Sequence, residues 1–416
     1  MVYIVSLVTL LPLDFTLTWC IMESIDSVFL SVLRSNIFKN RDALSPDYIP
    51  EVLPHREDQI KQLGGILAHA LKGSKPGNVF IYGLTGTGKT AVTKYVLKRL
   101  VLKAKEVGAI VKYAYVNCRQ SDTPYRVLAD IAEAIGIRVP FTGLSIAEVY
   151  RRILRGLFEQ KGVFIIVLDE LDYLVKRKGD DILYRLLRIN EENIKAKVSL
   201  VCITNDVKLL EILDPRVRSS LGEEEIVFPP YNALELKDIL TCRAKEAFNE
   251  EALEEDVIPL CAALAAKEHG DARRALDLLR VAGEIAEREN SEKVTCDHVK
   301  KAYNEIERNT TLEIVKSLPL QAKIVLHAIL LLEKKNVKPI TTGHLYSVYA
   351  NLCRIIGVGC LTQRRISDII SQLDTLGLIA TEIISRGRHG RTRIIKINVD
   401  RKILVEALKN WRNTLP

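Results

Sequence analysis

The chain has 416 residues, 48% of them apolar and 27% charged, with a formal net charge of +8. That length exceeds one ordinary domain and calls for about two to four, and the composition is that of a soluble globular protein with ample material for cores. The charge is uneven: Leu361 to Pro416 holds 11 Lys+Arg against 5 Asp+Glu, which points to a polyanionic partner for that end.

Residues 1–21, MVYIVSLVTLLPLDFTLTWCI, are apolar but carry no Lys or Arg, and the first basic residue is Arg34. A signal peptide needs a positive start and a small-residue cleavage site, and Pro12 and Asp14 interrupt a spanning helix. Only Met1 and Met22 are methionines, so the expectation is that translation starts at Met22 and that 1–21 is a spurious or disordered extension. A weak membrane anchor is the alternative. The eight cysteines (Cys20, Cys118, Cys202, Cys242, Cys261, Cys296, Cys353, Cys360) form no CxxC pair and sit mostly in apolar runs. Buried free thiols in a reducing cytoplasm fit them better than zinc or disulfides.

From about Tyr48 to Tyr231 apolar, β-rich runs (NVFIY, AIVKYAYVNC, GVFIIVLDE, VSLVCITN, EEIVFPPY) alternate with amphipathic stretches. That alternation predicts a parallel α/β sheet buried on both faces. Between the second and third runs, Pro124 to Ile137 predicts a short helix with Val127, Leu128, Ile131, Ala132 and Ile135 inward. Leu234 to about Glu307 is wholly helical in pattern, with Thr295 or Asp297 capping its last helix. After Pro319 come three helical runs and two β segments around a Gly/Arg turn.

Chemistry concentrates in the α/β region. Gly83-Leu84-Thr85-Gly86-Thr87-Gly88-Lys89-Thr90 fits GxxxxGK[ST] between a strand and a helix. Such glycines let backbone N–H groups turn inward around phosphate oxygens, at the positive end of the following helix. Lys89 would reach the β and γ phosphates of ATP, and Thr90 would ligate Mg²⁺. A second apolar strand ends in Asp169-Glu170; Asp169 would hold the Mg²⁺ and Glu170 would polarise an attacking water. The plainer reading of that pair is a helix cap followed by a first-turn acid. Asn205 ends a third strand, where it would position the water or touch the γ-phosphate; singly it reads as a turn former. Arg216 and Arg218 follow in LDPRVRSSLGEE, and Arg273 and Arg274 open a helix in HGDARRAL. Arginines at a helix start oppose its dipole and suggest an anionic partner.

At the C-terminal end, Ile366, Ile369, Ile370, Leu373 and Leu376 form one apolar stripe. Thr362 is the expected N-cap, and Arg364, Arg365, Ser367, Asp368, Ser371 and Gln372 would face outward. A helix with exposed Arg and Gln can read a DNA major groove. The segment from Ser385 to Lys396 adds Arg386, Arg388, Arg391, Arg393 and Lys396 with no acid, and Gly387 and Gly390 permit a tight hairpin. Like charges so close together repel unless phosphates neutralise them, so this end is expected to bind duplex DNA.

Phosphate loop, Asp-Glu strand, Asn strand, Arg-bearing turn and GDAR helix, in this order, resemble the AAA+ ATPases. The likeness implies that Asn205 is sensor one and Arg273 sensor two. It places the arginine finger at Arg216 or Arg218, acting on a neighbouring subunit's ATP. Gly83 through Ala91, Asp169, Tyr231 and Arg273 form the expected nucleotide set. YIPEVLPHREDQIKQLGGIL, VNCRQSDTPYRVLADIAEAIGI and TQRRISDIISQLDTLGLI with SRGRHGRTR narrow the resemblance, which runs from roughly Ser24 to Leu404. They are similar to archaeal replication initiators related to the origin recognition complex subunit one and the cell division control protein six. That family implies an AAA+ base domain over 22–230 with an initiator-specific insertion at about 119–140, whose Arg119 and Arg126 would touch DNA. It further implies an all-α lid over 231–310 and a winged-helix domain over 311–416. The implied protein is a cytoplasmic, nucleoid-associated, weak ATPase. It would bind duplex origin DNA, use ATP and ADP as a switch, and meet other initiator copies or paralogues and the replicative helicase, with no membrane partner. Clamp-loader-type, transcription-controlling and mobile-element helper ATPases are the rival readings.

Overall fold

In the computed structural model, residues 36–46, 48–140, 142–192, 194–385 and 391–409 are described. Residues 1–21, the Met22 start, Arg386, Gly387, Arg388 and Gly390 lie outside them. The molecule divides into two compact units at Val299/Lys300.

The first unit is built on five parallel strands, β1 (Val79–Gly83), β2 (Val111–Asn117), β3 (Val163–Asp169), β4 (Lys197–Thr204) and β5 (Glu224–Phe228), in the spatial order β2-β3-β4-β1-β5. All seven residues of β3 are buried, as an interior parallel strand covered on both faces requires. The period of two divides them: Phe164, Ile166 and Leu168 join one apolar layer, and Val163, Ile165 and Val167 the other. Helices α1 (Glu57–Leu67) and α2 (Lys89–Glu106) cover the second layer through Leu63, Leu67, Val92, Val96 and Leu100. The first is covered by α3 (Pro124–Ile135), α4 (Ile146–Glu159), α5 (Leu171–Lys178) and α6 (Asp181–Leu187).

Helix α3 buries the five expected residues and takes Thr123 as its cap. It stops at Ile135, two residues short of the predicted end, because Gly136 turns left-handed at φ +91°. Two short helices, α7 (Leu209–Ile212) and α8 (Pro215–Leu221), follow β4. After β5 the chain is helical: α9 (Ala233–Ala247), α10 (Val257–Lys267), α11 (Ala272–Arg288) and α12 (Cys296–Ser317), which runs on into the second unit. Asn232 and Glu235 close a reciprocal cap on α9. At α12, Thr295 holds the cap position, where its N–H donates to His298 Nδ1 at 3.0 Å; Asp297 falls inside the helix.

The second unit has α13 (Leu320–Lys334), α14 (Thr342–Ile356), α15 (Gln363–Thr375) and α16 (Arg401–Lys409). Its three-stranded antiparallel sheet has the order β6 (Ile340–Thr341), β8 (Arg391–Ile397), β7 (Ile379–Ser385). Ile366, Ile369, Ile370 and Leu373 of α15 are buried in its core. Leu376 is 42% exposed: it lies just past the helix end, so the helical period no longer carries it inward.

Candidate functional site

The sheet order places β1 between β4 and β5, and the loop leaving β1 opens above the carboxyl ends of the strands, where α/β sheets take their ligands. Tight approaches hold that loop in shape. Gly86 and Gly88 have φ +70° and +90°; a Cβ at Gly86 would overlap the Asp271 carboxylate, and one at Gly88 would lie 2.8 Å from the Tyr231 hydroxyl. Lys89, buried at the start of α2, donates from Nζ to the carbonyl oxygens of Gly83 (2.8 Å) and Leu84 (2.6 Å). Burial lowers its ammonium to about 8, against the opposing pull of Asp169.

Asp169, 4% exposed, is held on every side. Thr90 Oγ1 donates to its Oδ2 at 2.8 Å, the Tyr115 hydroxyl donates to the same oxygen, and the Glu170 N–H reaches Oδ1 at 2.9 Å. Burial and the facing Asp169 carboxylate push the Tyr115 hydroxyl far up, so it stays a donor. Asp169 therefore sits beside a hydroxyl with its carboxyl group held in place, a pair of hard oxygen donors that fits a Mg²⁺ completed by phosphates and water. Glu170 follows in the left-handed region at φ +54°, with Arg119 Nη1 at 3.8 Å.

The helical segment closes the other wall. Asp271 caps α11, accepting from the Arg273 N–H at 2.8 Å, and the Ala272 N–H donates to Gly86 O at 3.1 Å. Arg56, 3% exposed, pins the loop from behind. Its guanidinium donates to Thr87 O (2.9 Å), His55 O (2.7 Å) and Pro229 O (2.6 Å), and lies 3.7 Å over the Tyr231 ring. The cavity between these walls measures about 430 Å³ and is lined from Gly86 to Ala91 and by Tyr115, Asp169, Glu170, Asn205, Tyr231 and Arg273. Away from the phosphate loop its walls become apolar, with Ile49, Val52, Leu53 and Leu276.

In the second unit, Thr362 caps α15 by accepting from the Arg365 N–H. Arg364, Arg365, Ser371 and Gln372 are exposed on the helix face opposite the buried isoleucines. Arg393 of β8 reaches that face, its Nη1 2.9 Å from Ser371 Oγ.

Models of three families match in chain order: an AAA domain over residues 72–213, a Cdc6 AAA+ ATPase-type lid domain over 237–304 and a CDC6 C-terminal winged helix domain over 313–407. The chain is 55% identical over 384 residues to the ORC1-type DNA replication protein 1 of Sulfurisphaera tokodaii, covering 92% of this chain and 96% of that one. The chain belongs to the ORC1-type DNA replication protein family. The solved structure of the Aeropyrum pernix ORC1 protein in complex with DNA superposes on this ORC1-type chain with a TM-score of 0.81 at 54% identity, over 91% of this chain and 98% of that one. The Cdc6p structure from Pyrobaculum aerophilum gives 0.58 at 25% identity, covering 91% and 100%.

For this ORC1-type chain the fold brings most of the expected residues together and sets a few apart. Leu84 and Thr85 are exposed on the outer side of the loop, where the Leu84 carbonyl serves Lys89. Gly83 contributes its carbonyl from beneath. Arg273 faces the cavity, whereas Arg274 turns to Glu268 at 2.9 Å. Arg216 and Arg218 are exposed on α8, outside the lining of their own cavity, and Arg216 borders a second pocket with Arg188, Ser219 and Ser220. Arg126 pairs with Asp122 at 2.8 Å on the exposed start of α3. Arg391 opens β8. Sequence reasoning missed Arg56, Tyr115 and Asp271. Their local trace was no more than an aromatic residue in a mixed strand, for Tyr115, and a polar residue at a helix start, for Arg56 and Asp271.

Proposed function

We propose that this ORC1-type chain is an ATP-dependent replication initiator that binds duplex origin DNA and helps bring in the replicative helicase, with ATP and ADP setting its shape. The observation that carries this reading is the joining, in one polypeptide, of a cavity bearing Lys89, Thr90 and Asp169 with a unit whose exposed Arg364 and Arg365 lie on the face that Arg393 reaches. The A. pernix relative solved with DNA supports DNA as partner.

At the nucleotide, backbone N–H groups of Gly86 to Thr90 surround the phosphates while Lys89 exchanges its two carbonyl partners for phosphate oxygens. Thr90 and Asp169 would hold Mg²⁺, which when bound neutralises developing phosphate charge. Glu170 orients the attacking water, with Asn205 beside it. Arg273 carries the nucleotide's state to α11, and Ala272, bonded to Gly86, moves with the loop. Arg216 or Arg218 would serve the nucleotide of a neighbouring initiator copy. A switch of this kind shifts shape only by the difference in affinity of ATP and ADP for its two states, so hydrolysis acts as a slow timer. Arg386, Arg388, Arg391 and Arg393 would hold phosphates beside the reading helix, with a second contact at Arg119 and Arg126. The domain boundaries at about 230 and 310 belong to the same proposal, as does a cytoplasmic, nucleoid-associated location.

Footprinting on the organism's own replication-start DNA, with ATP and with ADP, tests it. The expected result is protection of specific elements that differs between the nucleotides. Equal protection of random duplex under both would overturn the reading.

A further inference from the structure

The turn that joins α14 to the reading helix α15 is fastened at several points. Gly357 turns left-handed at φ +79°, and Val358 N–H donates to Cys353 O at 2.9 Å. Gln321 Nε2 donates to Gly359 O at 3.1 Å, and the Leu361 N–H to the Tyr349 hydroxyl at 3.0 Å. The Tyr346 hydroxyl reaches Leu361 O at 3.2 Å. Inside this frame are two cysteines. Cys353 is fully buried in the last turns of α14; Cys360 is exposed, two residues before the Thr362 cap, with Sγ 3.8 Å from Ala350 O, one helical turn before Cys353. The Val358 N–H bond to Cys353 O and the Cys360 Sγ seat at Ala350 O bring the two thiol-bearing segments against the same end of α14. Four of the other described cysteines, Cys118, Cys202, Cys242 and Cys261, are buried or half-buried in the first unit.

We propose that Cys353 and Cys360 are an oxidative modification site, closing a disulfide that ties the end of α14 to the turn from which the reading helix starts. The two thiols stand on segments held against the same end of α14, one of them is open to solvent, and the turn between them is fastened at both ends. The oxidant is a small-molecule or protein disulfide. The Cys360 thiolate attacks one of its sulfurs, forming a mixed disulfide and expelling one thiolate. The Cys353 sulfur then attacks Cys360, breaking the mixed disulfide and expelling the second. Two electrons pass to the oxidant, and the two cysteine protons end on the two released thiols. Burial raises the Cys353 thiol, which makes it the slower, resolving partner. This site stands on the C-terminal unit's own geometry and does not depend on what that unit binds.

The test exposes the reduced full-length chain to oxidised glutathione, followed by intact mass and peptide mapping. The expected wild-type product has lost two hydrogens, joins Cys353 to Cys360 in one mapped peptide and keeps no glutathione at either. Cys353→Ala, with Cys353→Ser as a second variant against misfolding, keeps glutathione on Cys360 because nothing resolves it. Cys360→Ser leaves Cys353 unreacted. A wild-type chain that retains glutathione on Cys360, or one in which neither thiol reacts, overturns the proposal. Amide exchange of residues 357–363 should be about tenfold slower in the oxidised form. Unchanged exchange would show that the bond does not order the turn.

Discussion

Lys89 should make nucleotide affinity pH-dependent above pH 8. Its ammonium stands near 8 because it is buried, and its partners are two neutral carbonyls, Gly83 O and Leu84 O. A triphosphate brings several negative charges to the same atom and returns it towards the ordinary lysine range above 10. Below pH 8 the lysine is charged in both states and affinity is flat. Above pH 8 binding must first take up a proton, so each pH unit weakens affinity about tenfold: roughly tenfold by pH 9 and a hundredfold by pH 10. Burial pushes Tyr231 and Cys118 up to about 12 and Tyr115 further, so none of them titrates in that range. The linkage for folding carries the opposite sign. Lys89 is depressed when folded, so the unfolded chain binds more protons between pH 8 and 10.5, and the residue's contribution to stability rises with pH there. Fluorescent-nucleotide titrations at pH 7, 8, 9 and 10, at constant ionic strength, measure the effect. Lys89→Arg stays charged throughout, so its affinity, whatever its level, should show no slope. A wild-type curve as flat as the arginine variant's to pH 10 would refute the reasoning.

Arg56→Met leaves the Thr87 and Pro229 carbonyls without their donor. At about 1.5–3 kcal/mol per hydrogen bond from a charged group, partly offset by no longer burying a guanidinium, nucleotide affinity should fall by about 30-fold or more in the same titration. A change within twofold would mean that the clip does not shape the loop. Replacing Arg364 and Arg365 together by Ala should weaken duplex binding and lower the slope of log K against log salt by about 1–2. Fluorescence anisotropy over a salt series measures it, and an unaltered slope would place α15 away from the phosphates.

The phosphate loop, the Asp169–Glu170 strand end and the α15 stripe were legible in the sequence because each is a local pattern. Glycines at fixed spacing make the turn, an unbroken apolar run makes an interior strand, and a 3.6-residue period makes a one-sided helix. The same locality explains the small misses. Leu376 matched the stripe by count, but the helix had already ended, and Gly136 stopped α3 two residues early. Choosing Arg273 over Arg274 rested on likeness, and it was Glu268, six residues before Arg274, that drew Arg274 away from the cavity.

By itself, then, the chain determined its three-part architecture and the loop and strand end that carry the candidate phosphate-binding groups, since both follow from residue type and spacing along one element. Tertiary structure alone decided which distant side chains shape the loop and its cavity: Arg56 behind the loop, Tyr115 in the lining from a neighbouring strand and Asp271 capping the helix of the far wall. It also set Arg393 against Ser371 and Cys360 against the end of α14. The physical reason is that a local period fixes the face on which a residue lies, whereas the partner it meets there depends on how separate elements pack.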